Sequence, residues 1–138
     1  MSAVVLDASS ALTWCFEDEA AQGSDDLFTQ VQQAGAVVPP LWHLEIASLL
    51  LSSERHRRIT QAESQAYLVL LQRLPISTDA SAAERGRLDI FHLAREHGLT
   101  VYDATYLDLA MRRQLPLATL DHELRRAARA TGVSLIQL

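Results

Sequence analysis

The chain has 138 residues, with 12 Lys+Arg against 17 Asp+Glu and a formal net charge of −5. That length suits one domain, and such a domain buries about 68–70% of the surface its unfolded chain exposes, so it needs no disulfide or zinc staple. Every basic residue is Arg, which excludes Schiff-base chemistry and a phosphate-cradling loop of the GxxxxGK[ST] type.

Residues 3–6 form a short apolar run closed by Asp7, which predicts a buried strand. A helical stretch follows from Asp7 to about residue 16. An acidic helix is expected over 17–33, stopped by Gly35. Residues 36–38 predict a second strand, ended by Pro39-Pro40. Residues 41–55 read as a periodic helix. Thr60-Gln61-Ala62-Glu63 fits a capping box that opens a helix toward Leu74. Residues 75–78 predict a third strand. Ser81-Ala82-Ala83-Glu84 is a second capping-box match, opening a helix to about residue 96 with Gly98 as its stop. Further elements are a helix over 101–113, a strand over 115–120, a helix over 121–130 and a last strand over 133–138. Short apolar strands alternating with helices predict an α/β fold with a mostly parallel sheet, whose strand C-termini share one edge. That edge is where such folds place ligands.

Cys15 is alone, so neither an intrachain disulfide nor a cysteine zinc site is expected, and a reducing compartment fits. His43-Leu44-Glu45 matches the HxE of zinc deaminases, but the PCxxC half is missing. No run approaches a membrane span and no signal peptide is recognised, so a cytoplasmic protein is expected. The acidic balance argues against generic adhesion to nucleic acid, though not against a local site.

Four acids stand where solvated acids would not. Asp7 and Asp121 end predicted strands and so share an edge. Glu45 has Leu41, Trp42 and Leu49 as its helical neighbours, an apolar setting that is costly for an unpartnered carboxylate. Asp103 opens the 101–113 helix beside Leu99, Tyr106 and Leu107. Each has an ordinary explanation. Asp7 and Asp121 can be N-caps, worth about 1 kcal/mol. Asp103 can be the N3 partner of Thr100. Glu45 can pair with an Arg or lean outward. Together, however, the four carboxylates would repel one another, and no Lys is available to offset them. Mg²⁺ or Mn²⁺ suits such an all-oxygen set, and carboxylates that hold a divalent ion and direct water are machinery for attack on a phosphodiester.

The order Asp7 in VVLDASS, Glu45 in LWHLEIASLL, Asp103 in LTVYDATYLDLA and Asp121 in PLATLDHEL resembles the PIN domain. Within it, the sequence is most similar to VapC-type toxins of type II toxin–antitoxin systems. The resemblance runs from Val4 to the final strand. It implies a three-layer α/β/α sandwich with about five strands, a Mg²⁺-dependent ribonuclease, a homodimer and a cognate antitoxin through which DNA would be met indirectly. Carried over residue by residue, Asp7, Glu45, Asp103 and Asp121 match the acidic quartet. Asp7 and Asp103 correspond to direct metal ligands, and Ser9 and Thr119 to small hydroxyl positions lining the pocket. Attack by water would leave a 5′-phosphate and a 3′-hydroxyl.

The remaining candidates have ordinary readings of equal weight or better. Among the five histidines, His122 beside Asp121 is the strongest candidate base. The arginine groups at 55–58, 85 and 87, 112–113 and 125–129 suit phosphates, but those at 55–58 and 112–113 also suit helix C-termini. Trp14 and Trp42 read as core or interface, and Leu49-Leu50-Leu51 exceeds one helix stripe, as a partner surface would. Two other functions compete with the nuclease. One is a PIN-like binding module acting through a DNA-bound antitoxin complex. The other is a Mg²⁺ phosphohydrolase of small esters.

Overall fold

The computed structural model describes residues 2–16 and 22–138. Four strands, β1 (Val4–Leu6), β2 (Ala36–Val38), β3 (Ile76–Thr78) and β4 (Leu117–Ala118), form one parallel sheet in the order β3-β2-β1-β4. Val4 pairs with Ala36 and Val5 with Val37 on one side, and Val5 pairs with Leu117 and Leu6 with Ala118 on the other. Val4, Val5 and Leu6 are completely buried. Successive strand residues point to opposite faces, so burial of all three requires cover on both faces, giving the three-layer α/β/α arrangement. β3 is the edge strand, and its last two residues are exposed.

The helices are α1 (Ala8–Leu12), α2 (Ser24–Ala34), α3 (Pro40–Arg55), α4 (Gln61–Arg73), α5 (Ala82–Arg85), α6 (Phe91–His97), α7 (Val101–Arg113) and α8 (His122–Thr131), with a π-helical turn over Gly86–Ile90. Among the described residues, no helix is long and apolar enough to cross a membrane.

Several expected boundaries move. α1 ends at Leu12, where Thr13 takes over as the C-cap and its hydroxyl donates to Ser10 O at 2.6 Å. α2 begins at Ser24, because Gly23 adopts a left-handed conformation (φ 89°) in front of it; residues 17–21 of the expected acidic helix lie outside the described residues. The Thr60 capping box forms, with Thr60 Oγ1 accepting from Glu63 N and Thr60 N donating to Glu63 Oε1, both at 3.1 Å. The Ser81 box does not. Ser81 already has helical backbone angles, and the Asp79 carboxylate takes its N–H at 3.0 Å. The helix beyond it breaks into α5, the π turn starting at Gly86, and α6. Glycine inside a helix weakens the regular ladder there.

The fifth strand is reduced to one parallel bridge, Leu117 to Leu135, so the sheet has four strands rather than about five. β4 itself is two residues long, because Leu115 and Pro116 precede the pairing and Thr119 and Leu120 turn away after it. Gly35 is required where it stands: its φ is +90°, and a Cβ there would meet Pro75 O at 3.0 Å.

The parallel register brings the ends of all four strands to one edge. Asp7 N donates to Ala118 O at 3.1 Å, and Asp79 N donates to Val38 O at 2.8 Å. Asp7, Pro39, Asp79 and Thr119 each follow a strand on that edge.

Candidate active site

Asp7 is the hub of this edge. It caps α1, with Oδ1 accepting from Ser10 N at 2.9 Å and from Ser9 Oγ at 2.8 Å. Ser10 Oγ lies 2.9 Å from both Asp7 Oδ1 and Ala118 O. The other carboxylate oxygen, Oδ2, accepts from the Thr119 hydroxyl. Burial nevertheless dominates and pushes the Asp7 carboxyl above its ordinary range, although all these hydrogen bonds pull it down. Thr119 Oγ1 also accepts from Asp121 N at 3.1 Å, and Ser9 Oγ accepts from Leu120 N at 3.3 Å. Ser9 and Thr119 thus stitch the loop after β4 to the start of α1. Thr119 is fully buried, so its hydroxyl holds Asp7 in place.

Glu45 sits in the second turn of α3. The apolar stripe of that helix is Trp42, Ile46 and Leu50, while Leu49 is 40% exposed, so Glu45 lies at the border of the stripe, half-buried. Tyr106 Oη donates to Glu45 Oε1 at 2.5 Å. Burial raises the Glu45 carboxyl, the tyrosine bond lowers it, and the charge of Asp7 raises it again, for a net upward shift.

Asp103 occupies the N3 position of α7, where its backbone N–H donates to Thr100 Oγ1 at 3.0 Å. Its carboxyl is pushed up to about 6, first by burial and then by the charge of Asp121, with Asp7 and Glu45 adding to the rise against the Thr100 bond. Asp121 stands at the N-cap of α8, yet its side chain makes no capping bond. Its carboxylate is therefore left for the cluster.

The fold thus gathers Asp7, Glu45, Asp103 and Asp121 into one electrostatically coupled group. Their donors are all hard carboxylate oxygens, which fits Mg²⁺ or Mn²⁺. Among the described residues, no three His, Cys, Asp or Glu side chains stand close enough to form a ready-made cage. Mg²⁺ suits such a spread, since it keeps several waters and is held through one or two carboxylates.

The other candidates lie elsewhere in function. Arg85, Arg112 and Arg113 are committed to two further buried acids, Asp79 and Asp108. Arg85 clasps Asp108 through Nε at 2.9 Å and Nη2 at 2.7 Å. Arg112 bonds both Asp108 at 3.0 Å and Asp79 at 3.1 Å, and Arg113 reaches Asp79 at 3.0 Å. Neither acid is marked by its sequence neighbours; the one available signal was the i, i+4 spacing of Asp108 and Arg112. His43 bonds Thr78 Oγ1 at the end of β3 at 2.9 Å, and His56 lies 2.8 Å from Ser52 O one helical turn back. Trp42 is core, and Trp14 packs edge-on against Phe28 with its Nε1 donating to Ser24 O at 3.1 Å. Ser10 and Tyr106 were not singled out in sequence. Ser10 is signalled by its position three residues after a capping Asp, and Tyr106 by standing one helical turn after Asp103.

Comparison with known proteins places the sequence and the fold. Residues 4–130 match the model of the PIN domain. The chain is 28% identical over 121 residues to Ribonuclease VapC3 of Pyrobaculum aerophilum, covering 88% of this chain and 91% of that protein. Its fold superposes on the crystal structure of PAE2754 from Pyrobaculum aerophilum with a TM-score of 0.70 at 23% identity, covering 97% of this chain and 90% of the other. It also superposes on VapC20 of Mycobacterium tuberculosis, a toxin that cleaves the sarcin-ricin loop, with a TM-score of 0.69 at 14% identity, covering 91% and 95%. At those identities the two structures speak for the fold alone.

Proposed function

Because this chain belongs to the PIN-domain family, we propose that it is a divalent-metal-dependent endoribonuclease, the VapC-type toxin of a toxin–antitoxin pair. The observation that carries the proposal is the convergence of Asp7, Glu45, Asp103 and Asp121 at one edge of the sheet, where burial first, and then the charges of Asp121, Asp7 and Glu45, push the Asp103 carboxyl up to about 6. A fold tolerates such mutual repulsion poorly unless the site has a use for it. The likeness to Ribonuclease VapC3 supports RNA as the substrate class.

Asp7 and Asp103 would hold the cation, Mg²⁺ or Mn²⁺. Such a cation, when bound, supplies Lewis-acid charge for the scissile phosphate and lowers the pKa of the attacking water. Glu45 and Asp121 orient that water and accept its proton. Ser9, Ser10 and Thr119 keep Asp7 from swinging into solvent. Attack by water in line with the departing ribose 3′-oxygen leaves a 5′-phosphate and a 3′-hydroxyl. The whole chain acts as one PIN-like domain in the cytoplasm and works as a homodimer. It is silenced by a cognate antitoxin, through which it meets DNA. Exposed Leu44 and Leu51 on α3 are available to such protein partners.

Asp103→Asn tests the proposal. It keeps the shape and the Thr100 cap but removes a ligand charge, so RNA cleavage and growth arrest should vanish while antitoxin binding persists. Growth arrest that survives the substitution would refute the nuclease reading and leave the binding module. Release of phosphate from small esters, with RNA left intact, would instead indicate a phosphohydrolase.

A further inference from the structure

We propose that Tyr106 is a positioning residue for Glu45, fixing that carboxylate toward Asp7 and Asp103 before substrate arrives; this rests on the nuclease reading above. Tyr106 stands three residues after Asp103 on α7, so the two side chains share a helix face. Its ring is 2% exposed and among the largest fully buried side chains, so packing leaves it little freedom. Its hydroxyl donates to Glu45 Oε1 at 2.5 Å, at the short end for an O–H to carboxylate bond. Among the described residues it is the one hydrogen bond made to Glu45.

Three features make this more than a satisfied core tyrosine. Glu45 belongs to α3 and Asp103 to α7, so the phenol is the direct tie between two acids carried on different helices. Glutamate has three rotatable side-chain bonds, and at the border of an apolar stripe, facing the charge of Asp7, it would otherwise turn outward. The donor is also neutral. A guanidinium in its place would hold Glu45 equally well but would cancel the negative charge a cation needs. The phenol orients the carboxylate through Oε1, leaves Oε2 for the site and preserves the charge.

The test compares wild type, Tyr106→Phe, Glu45→Gln and the double variant. Each is measured by calorimetric titration with Mn²⁺, single-turnover RNA cleavage and thermal melting. Tyr106→Phe should melt within about 5 °C of wild type. Its cleavage rate should fall about 10- to 100-fold, the loss typical when an outer-shell partner of a metal site is removed, and its Mn²⁺ affinity should fall with it, because a Glu45 carboxylate turned outward adds less negative charge around the cation. In the Glu45→Gln background it should cost no further Mn²⁺ affinity, because the carboxylate it positions is gone. Wild-type affinity and rate in Tyr106→Phe would overturn the proposal, as would an equal loss of affinity in both backgrounds, which marks a merely structural tyrosine. A wild-type protein that neither binds Mn²⁺ nor cleaves RNA would sink the nuclease reading and this role with it.

Discussion

In the proposed site, Asp103 would pit function against stability in one side chain. Its carboxyl titrates near 6 in the fold against about 3.9 in an unfolded chain. A raised carboxyl pKa means that ionisation opposes folding, so the penalty is absent below about pH 4 and complete above about pH 6. Asp103→Asn should therefore stabilise the metal-free protein at pH 7 by about 1 kcal/mol after allowing for solvent screening. Denaturant unfolding in EDTA at pH 7 and pH 4 checks this, with the gain expected only at pH 7. Thr119→Val tests a different residue. It removes the donor to Asp7 Oδ2 while filling the same buried volume, and should lower Mn²⁺ affinity or cleavage about 10-fold or more. At this scale Asp7, Asp103 and Asp121 were conspicuous in the sequence as acids at strand ends and helix starts, and Glu45 as an acid among apolar helical neighbours. Ser10 and Tyr106 were not, because a serine and a tyrosine read as ordinary until their hydroxyls are seen to face carboxylates.

α7 is the element on which the site depends. It presents Asp103 and Tyr106 near its N-terminus and Asp108 and Arg112 further along, so the arginine network also anchors the helix that carries the site. Asp79 shows the strength of that anchor. Burial pushes its carboxyl up, but hydrogen bonds from Arg112, the Ser81 N–H and Arg113 outweigh this and hold it well below the usual carboxylate range. A depressed carboxyl pKa contributes stability that is present above the unfolded value and is lost as pH falls toward the folded one. Asp79→Asn should thus cost about 3 kcal/mol at pH 7, since Arg112 and Arg113 both lose a buried partner, and progressively less below about pH 4. Chemical denaturation across that pH range measures it. Elements 41–55 and 101–113 were read from sequence almost to the residue, because their start signals are local: Pro39-Pro40 before the first, and Thr100 capping the second. The helix expected after Ser81 runs to His97 and stops at Gly98, interrupted by the π turn, but the Ser81 capping box is missing, because Asp79, committed to arginines on a distant helix, takes the Ser81 N–H.

The whole molecule explains why a net charge of −5 is a poor guide to its ligand. Asp79 and Asp108 are neutralised by arginine, while the quartet concentrates negative charge at one edge of the sheet. Divalent ions should therefore stabilise the fold as well as activate it. At 100 times the dissociation constant, ligand binding adds about 2.7 kcal/mol, or roughly 10 °C in melting temperature for a chain of this size. A melting scan with Mg²⁺ and then excess EDTA tests this; no shift would count against the metal site.

The sequence by itself determined most of the order of strands and helices and the parallel α/β class, because each is written in local pattern: short apolar runs, helical period and caps. Tertiary structure alone decided which acids, among the described residues, feel one another's charge and which are paired with arginine. Asp108 and Asp103 lie five residues apart on one helix, yet one is clasped by Arg85 and Arg112 and the other faces Asp121, Asp7 and Glu45. Charge and burial at a position depend on partners up to a hundred residues away. Those partners are chosen by the register of the sheet and the packing of helices across it, which no local window of sequence contains.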